Sequence, residues 1–166
     1  MIVKHFELNK IDLKKKSFFL FHGENQGLKN EIIEKKFKQN YRDNIYHYDE
    51  NEVLQNKETF YNQLSSKSFF EDEKLIIVNR VSDKITDIVK EIIEKKFLDL
   101  VLVLNANSLE KKSKVRSLFD KNEETISIPI YEDNHQTLIS IVNEFFRNKK
   151  IPISQQSMNL LVNRCR

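Results

Sequence analysis

Residues 18–30 read Phe-Phe-Leu-Phe-His-Gly-Glu-Asn-Gln-Gly-Leu-Lys-Asn. Residues 18–22 form a short, almost continuous apolar run, the pattern of a strand buried on both faces of a sheet. A helical pattern follows, with Leu28, Ile32, Ile33 and Phe37 on one face. The chain has only 2 glycines, and both, Gly23 and Gly27, fall in the connection between strand and helix. Strand, glycine-bearing loop and helix are the setting of a phosphate-binding loop, in which backbone N–H groups and a helix N-terminus face an anion. Against the pattern G-x-x-x-x-G-K-[ST], Gly23 matches the first glycine and Lys29 the lysine.

The remaining positions depart from the pattern. Leu28 stands where the second glycine belongs, so a side chain crowds the loop. Asn30 stands where a hydroxyl would hold Mg²⁺. Later strands end in Asn79-Arg80 and Asn105-Ala106, and neither end supplies the carboxylate that a dication needs. The loop therefore reads as a retained strand-to-helix turn, and Lys29 is expected in solvent. An active P-loop nucleotide-binding enzyme remains the alternative.

Outward from this stretch, two periodicities alternate. Residues 45–48, 74–79, 100–104 and 125–131 read as further strands. Residues 51–64 read as a helix with Val53, Leu54, Phe60, Tyr61 and Leu64 on one stripe. Ser82 is expected to cap a strongly amphipathic helix with Ile85, Ile88, Val89, Ile92, Ile93 and Phe97 inward. A more polar helix is expected over 109–120. This order predicts a three-layer α/β domain around a mostly parallel sheet. After Tyr131 the pattern turns helical. Asp133 or Asn134 is expected to cap a helix that buries Leu138, Ile141, Val142, Phe145 and Phe146, with Gln136 completing a capping box. Ser154 is expected to cap a second helix, still running at Arg166. Two helices cannot bury both their faces, so residues 132–166 are expected to be the first part of a larger helical domain.

The composition narrows the function classes. Of the 166 residues, 39% are apolar and 12 are Phe, enough for a core. The net charge is +3, and the lysine runs at 14–16, 35–36, 95–96 and 111–112 lie among acidic residues. They read as solvated helix faces, which argues against a stand-alone nucleic-acid-binding domain. The single cysteine, Cys165, fits a cytoplasmic location, and no apolar run approaches a bilayer span. His5, His22, His47 and His135 show no metal-ligand spacing, and no cofactor is expected.

Three segments together, with the turn at Tyr131 into the next helix and Ile153-Ser154 opening the one after, carry a resemblance over essentially the whole chain. They are Phe18–Glu24, Ser68–Val78 and Val101–Ser108. The sequence resembles the delta subunit of the bacterial DNA polymerase III clamp loader. The resemblance implies a P-loop NTPase/AAA+-like domain over residues 1–131 that does not use ATP, followed by the start of a small helical lid over 132–166. It also implies a C-terminal collar domain absent from this sequence. The implied role is a non-catalytic subunit of the DNA-directed DNA polymerase (nucleotidyltransferase) holoenzyme that binds and opens the sliding clamp during DNA replication. Implied partners are the sliding clamp (beta subunit), the gamma/tau and delta-prime subunits, and primed DNA through the assembled complex. The implied clamp-binding element is Phe69 and Phe70, with Ser68 before them. The residues allow the same reading. Residues 65–68 are polar, and two adjacent Phe followed by Glu-Asp-Glu-Lys fit no helical stripe. Exposed, such a pair makes an interface anchor worth about 2 kcal/mol or more per residue. Packed inward, the same pair would cap the core beneath the strand.

Overall fold

The computed structural model describes residues 1–41, 44–66, 73–97 and 99–164. The chain divides into two compact units, Met1–Ile130 and Tyr131–Arg166.

The first unit is built on five strands, β1 (Phe18–His22), β2 (Ile45–Asp49), β3 (Lys74–Val81), β4 (Leu100–Ala106) and β5 (Thr125–Pro129). Their order in the sheet is β2-β3-β4-β1-β5, and every pair is parallel. β1 thus lies between β4 and β5. The chain runs from β1 to the far edge, returns through β3 and β4, and then crosses β1 to reach β5. The N-terminus adds a single parallel bridge, Ile2 to Ser127, along β5.

Side-chain alternation divides the core between the two faces of the sheet. Phe18 and Leu20 join Ile76, Val78, Leu102 and Leu104 on one face, under Val53, Phe60, Leu64 and the helix carrying Ile88 and Ile92. Phe19 and Phe21 join Leu75, Ile77, Val103 and Ile128 on the other, with Val3, Leu8, Ile33 and Phe37. All five residues of β1 are buried. The three layers predicted from the pattern are therefore present.

The helices depart from expectation in instructive ways. α1 is Gln26–Ile32, continued by one wider turn over Ile33–Phe37 and a tight turn over Lys38–Asn40. The helix expected over 51–64 is two, α2 (Glu50–Gln55) and α3 (Lys57–Ser65), broken at Asn56 (φ −124°, ψ 52°). Lys57 sits where an apolar residue would have carried the stripe of Val53 through the junction. α4 is Thr86–Lys95, entered through a short turn over Asp83–Ile85 that Ser82 caps. α5 begins only at Lys114 and ends at Lys121. Its start is fixed from outside, because Asp83 Oδ1 accepts from Ser113 Oγ at 2.6 Å and from the Val115 amide at 3.1 Å. That anchor holds the Asp83 carboxyl below the usual range, through its Ser113 and backbone hydrogen bonds, against a raising contribution from burial. β5 stops at Pro129, two residues short of the predicted end.

The second unit holds α6 (His135–Asn148) and α7 (Gln155–Arg164). Asn134, rather than an Asp133–Gln136 box, caps α6, accepting from the Thr137 amide at 2.9 Å. Ser154 caps α7, accepting from the Ser157 amide at 3.1 Å. Met158 and Val162 of α7 are buried. The expected burial of the α6 stripe does not occur. No residue of α6 is buried, and Ile141 and Phe145 are 52% and 56% exposed. A pair of helices shares one seam, and a stripe five residues wide exceeds it. Among the described residues, no helix is long and apolar enough to cross a membrane, and no cluster of three or more His, Cys, Asp or Glu could hold a metal.

Candidate functional site

In an open parallel sheet, ligands bind outside the carboxyl ends of the strands where the strand order reverses. Here that place is the mouth of β1 and β4. The connection from β1 into α1 is only Gly23–Asn25, because α1 starts at Gln26. Gly27, expected in the loop, lies in the first turn of the helix. Gly23 is the residue that the turn requires. Its φ is +132°, and a Cβ there would lie 1.8 Å from the Ile130 carbonyl oxygen.

Four of the amides around the turn already have acceptors. The Gly23 amide donates to Asn107 O (3.1 Å) and the Gln26 amide to Glu24 O (2.7 Å). The Leu28 amide donates to the Asn25 side chain (3.0 Å) and the Lys29 amide to Asn25 O (3.2 Å). Asn25 thus caps α1 with its own side chain and closes the helix end to an outside anion. Leu28 is half-buried against the sheet face that holds Phe19 and Phe21. Asn30 is exposed and accepts from Gln26 Nε2 at 2.9 Å.

Lys29 overturns its sequence-based placement. It is 0% exposed. Its Nζ donates to Gly23 O at 2.7 Å and to Ala106 O at 2.5 Å. The side chain has folded back into the mouth between β1 and β4 and ties the turn to the last residue of β4. Burial holds its pKa below the ordinary lysine range, and the two carbonyls satisfy the ammonium without a counter-anion.

The strand ends hold amides where the dication chemistry would need carboxylates. Asn105, buried, donates from Nδ2 to Asn79 Oδ1 at 3.1 Å. Arg80, at φ 57°, turns out of β3 and pairs with Asp49. Beside the turn, His22 is buried with Nε2 3.3 Å from Ser127 Oγ. Burial, with Arg116 adding to it, pushes its pKa down to about 4, so the imidazole is neutral at physiological pH.

A second lysine marks the connection from α3 to β3. Lys74, the first residue of β3, is 6% exposed. Its Nζ donates to Gln63 O at 2.8 Å, to Ser66 O, and to Ser66 Oγ at 3.4 Å. Two of these acceptors are carbonyls at the end of α3, where a cation also meets the negative end of the helix dipole. The backbone of Lys74 is fixed in turn, since its amide donates to Asp99 O at 2.9 Å.

The model of the family "DNA polymerase III, delta subunit" matches residues 19–129, well over half of the chain. The chain belongs to that family. The delta-family segment takes in β1 through β5, both lysine sites and the α3–β3 connection. A comparison with curated proteins finds no match. Among solved structures, the chain is similar to the Bacillus subtilis DNA clamp loader delta protein (TM-score 0.63, 18% identity), over 95% of this chain and 51% of that one. It is also similar to a DNA polymerase III gamma subunit-related protein from Thermotoga maritima (TM-score 0.54, 14% identity), over 87% of this chain and 52% of that one. The chain spans about half the length of both.

Of the residues that the sequence singled out in this delta-family chain, Gly23, Leu28 and Lys29 gather at one turn, with Gly27 and Asn30 on the helix that follows. Ser68, Phe69 and Phe70 lie outside the described residues. Lys74 was passed over by the sequence reading. Its only signal is a charged residue opening a strand that is otherwise apolar through Val78.

Proposed function

We propose that this delta-family chain is the clamp-binding part of a clamp-loader subunit, one that binds and opens the sliding clamp during DNA replication and uses no nucleotide of its own. Its partners on this reading are the sliding clamp, the gamma/tau and delta-prime subunits, and primed DNA through the assembled complex. Residues 1–131 serve as a P-loop NTPase/AAA+-like domain whose nucleotide site has been given up, and residues 132–166 as the first helices of a lid. Strand order and the strand-turn-helix after β1 support that description. Ser68, Phe69 and Phe70, between α3 and β3, carry clamp contact.

The observation that carries the reading is the buried Lys29 ammonium on Gly23 O and Ala106 O. The one side chain that aligns with a phosphate-binding lysine is spent on holding the turn shut. To receive a phosphate it would have to leave the partly buried Gly23 carbonyl and strand the buried Ala106 carbonyl, the latter at a cost of about 1–3 kcal/mol. Titration calorimetry with Mg·ATP tests this half of the proposal, with no binding heat expected up to millimolar nucleotide. Saturable binding at micromolar nucleotide would return the chain to the P-loop enzymes. The other half is tested by co-migration with the cognate sliding clamp on size exclusion, where a shifted peak is expected and independent elution of the two proteins would overturn it.

A further inference from the structure

Two lysine runs far apart in the sequence meet at the amino-terminal ends of the strands, opposite the mouth that Lys29 closes. Lys15, Lys16 and Ser17 lead into β1, Lys96 and Phe97 follow α4, and Glu124 precedes β5. With Phe18 they line an open cleft of about 250 Å³. Its floor is apolar, since Phe18 is 5% exposed and Phe97 packs against the same core. Its rim is basic, three lysines against one carboxylate. Lys16 Nζ donates to the neutral Glu123 carbonyl at 2.6 Å, a bond that leaves its charge uncompensated. Lys96 Nζ reaches Glu124 Oε1 at 2.8 Å, and Lys15 Nζ lies 3.7 Å from Asp12 Oδ2, both pairs in solvent. Lysines on the helix faces behave differently and pair with a glutamate one turn away, as Lys35 does with Glu31 and Lys95 with Glu91. Lys96 also carries a backbone mark. It ends α4 at φ 46° and ψ 61°, a left-handed conformation that favours glycine or asparagine. A glycine would make that turn without bringing an ammonium to the rim.

We propose that this cleft is a docking site for an acidic segment of a partner protein. One apolar side chain of the segment inserts against Phe18 and Phe97, while flanking carboxylates meet Lys15, Lys16 and Lys96. This contact goes beyond the clamp contact and is independent of it. A concave surface with low-dielectric walls and an excess of one sign of charge focuses its field on whatever enters, and the ligand of complementary charge is an anion. Size and floor select among anions. Pockets for cofactors and drug-sized ligands run from about 300 Å³ upwards, so the cleft holds one large side chain rather than a whole nucleotide. Single-stranded nucleic acid binds by stacking its bases on open aromatic side chains. Phe18 is buried and Phe97 half-buried, a floor rather than a stacking platform. Glu124 repels a phosphate chain, whereas a peptide can present a backbone N–H to it. The Lys96–Glu124 pair is little hindrance to entry, since ion pairs in solvent are weak.

The test titrates the isotope-labelled chain with unlabelled probes and follows its amide NMR signals. The probes are the peptide Glu-Asp-Phe-Asp-Glu, the same peptide with Ser for Phe, the same peptide with Lys for every acidic residue, and an oligothymidine of equal length. Lys15→Gln/Lys16→Gln/Lys96→Gln clears the rim, and Lys35→Gln/Lys90→Gln/Lys112→Gln removes the same charge from exposed lysines elsewhere. Saturable binding of the Phe-bearing acidic peptide is expected, with signals moving at Ser17, Phe18, Lys96, Phe97 and Glu124. Affinity is expected to be about tenfold lower in the rim variant and for the Ser peptide, unchanged in the control variant, and reduced as salt rises. No binding of the acidic peptide, signals moving elsewhere, or equal losses in the two variants would overturn the proposal. Equal binding of the Phe and Ser peptides would overturn it by reducing the site to charge alone. Tighter binding of the oligothymidine, lost in the rim variant, would overturn it in favour of nucleic acid. Should the rim variant not fold, the peptides decide: a basic peptide that binds as well as the acidic one would overturn the proposal, and a basic peptide that does not bind would support it.

Discussion

The β1–α1 turn and the α3–β3 connection are held by the same chemistry in different settings. In both, a buried lysine ends on backbone carbonyls beside the end of an interior strand. At the first, Lys29 sits inside the mouth of β1 and β4 and takes up the hydrogen-bonding capacity that a ligand would use. At the second, Lys74 joins the start of β3 to the end of α3. The difference is one of position. A lysine on the helix after the turn folds inward and removes a site. A lysine on the strand after the connection ties that strand to the helix before it. Stability is therefore expected to reside in the turn, and binding in the connection.

The largest expected effect that could break this contrast comes from Gly23. Gly23→Ala places a methyl group against the Ile130 carbonyl oxygen at an unfavourable φ, costing about 3 kcal/mol or more. Denaturant unfolding should show a much lower midpoint, while any folded fraction keeps its clamp affinity. Next is Lys29→Met, which leaves the buried Ala106 O and the partly buried Gly23 O without their donor and relieves the desolvated ammonium in partial compensation. A loss of about 2 kcal/mol is expected, with no gain of nucleotide binding and no change in clamp affinity. A Lys29→Met chain that lost clamp binding at an unchanged melting temperature would erase the distinction between the two regions.

Smaller effects sharpen it. The folded pKa of His22 is about 4, below its ordinary value of 6.5, so between those pH values the unfolded chain binds the extra proton. Stability should fall as pH drops from about 6.5 toward about 4, by at most about 1.4 kcal/mol per pH unit, and level off below. His22→Gln should flatten that part of the pH–stability profile. The smallest change is Asn25→Ala, which frees the Leu28 amide and costs about 1 kcal/mol of α1 stability.

Much of the fold was legible because burial writes itself into apolar runs. β1, β3 and β4 lie where continuous apolar runs placed them, β5 where Ile126 and Ile128 alternate with polar residues, β2 where Ile-Tyr-His-Tyr did, and the spacing from Ile85 to Ile93 placed α4. The break at Asn56 was not legible, since Val53, Phe60 and Leu64 keep helical spacing across it. The start of α5 was not legible either, because it is set by Asp83 from another element. The turn was half legible. Leu28 and Asn30 announced a loop unlike a working phosphate site, but Lys29 was expected in water, where lysines are usually found. Pattern reading weighs a lysine by its charge and cannot see that a backbone carbonyl on a distant strand will receive it. Lys74 escaped for the same reason. The exposed stripe of α6 shows the converse: Ile141 and Phe145 carry the periodicity of a buried face, and periodicity says nothing of whether a second surface is there to cover it.

On the proposed function, this chain binds a sliding clamp through Phe69 and Phe70, without nucleotide. Titrating fluorescently labelled cognate clamp with the chain and with the Phe69→Ala/Phe70→Ala variant, each with and without Mg·ATP, tests it most directly. Saturable binding by the chain, unaffected by ATP, is expected, with a loss of at least a hundredfold in the variant at an unchanged melting temperature. Equal affinity in the two proteins, or binding that appears only with ATP, would contradict it.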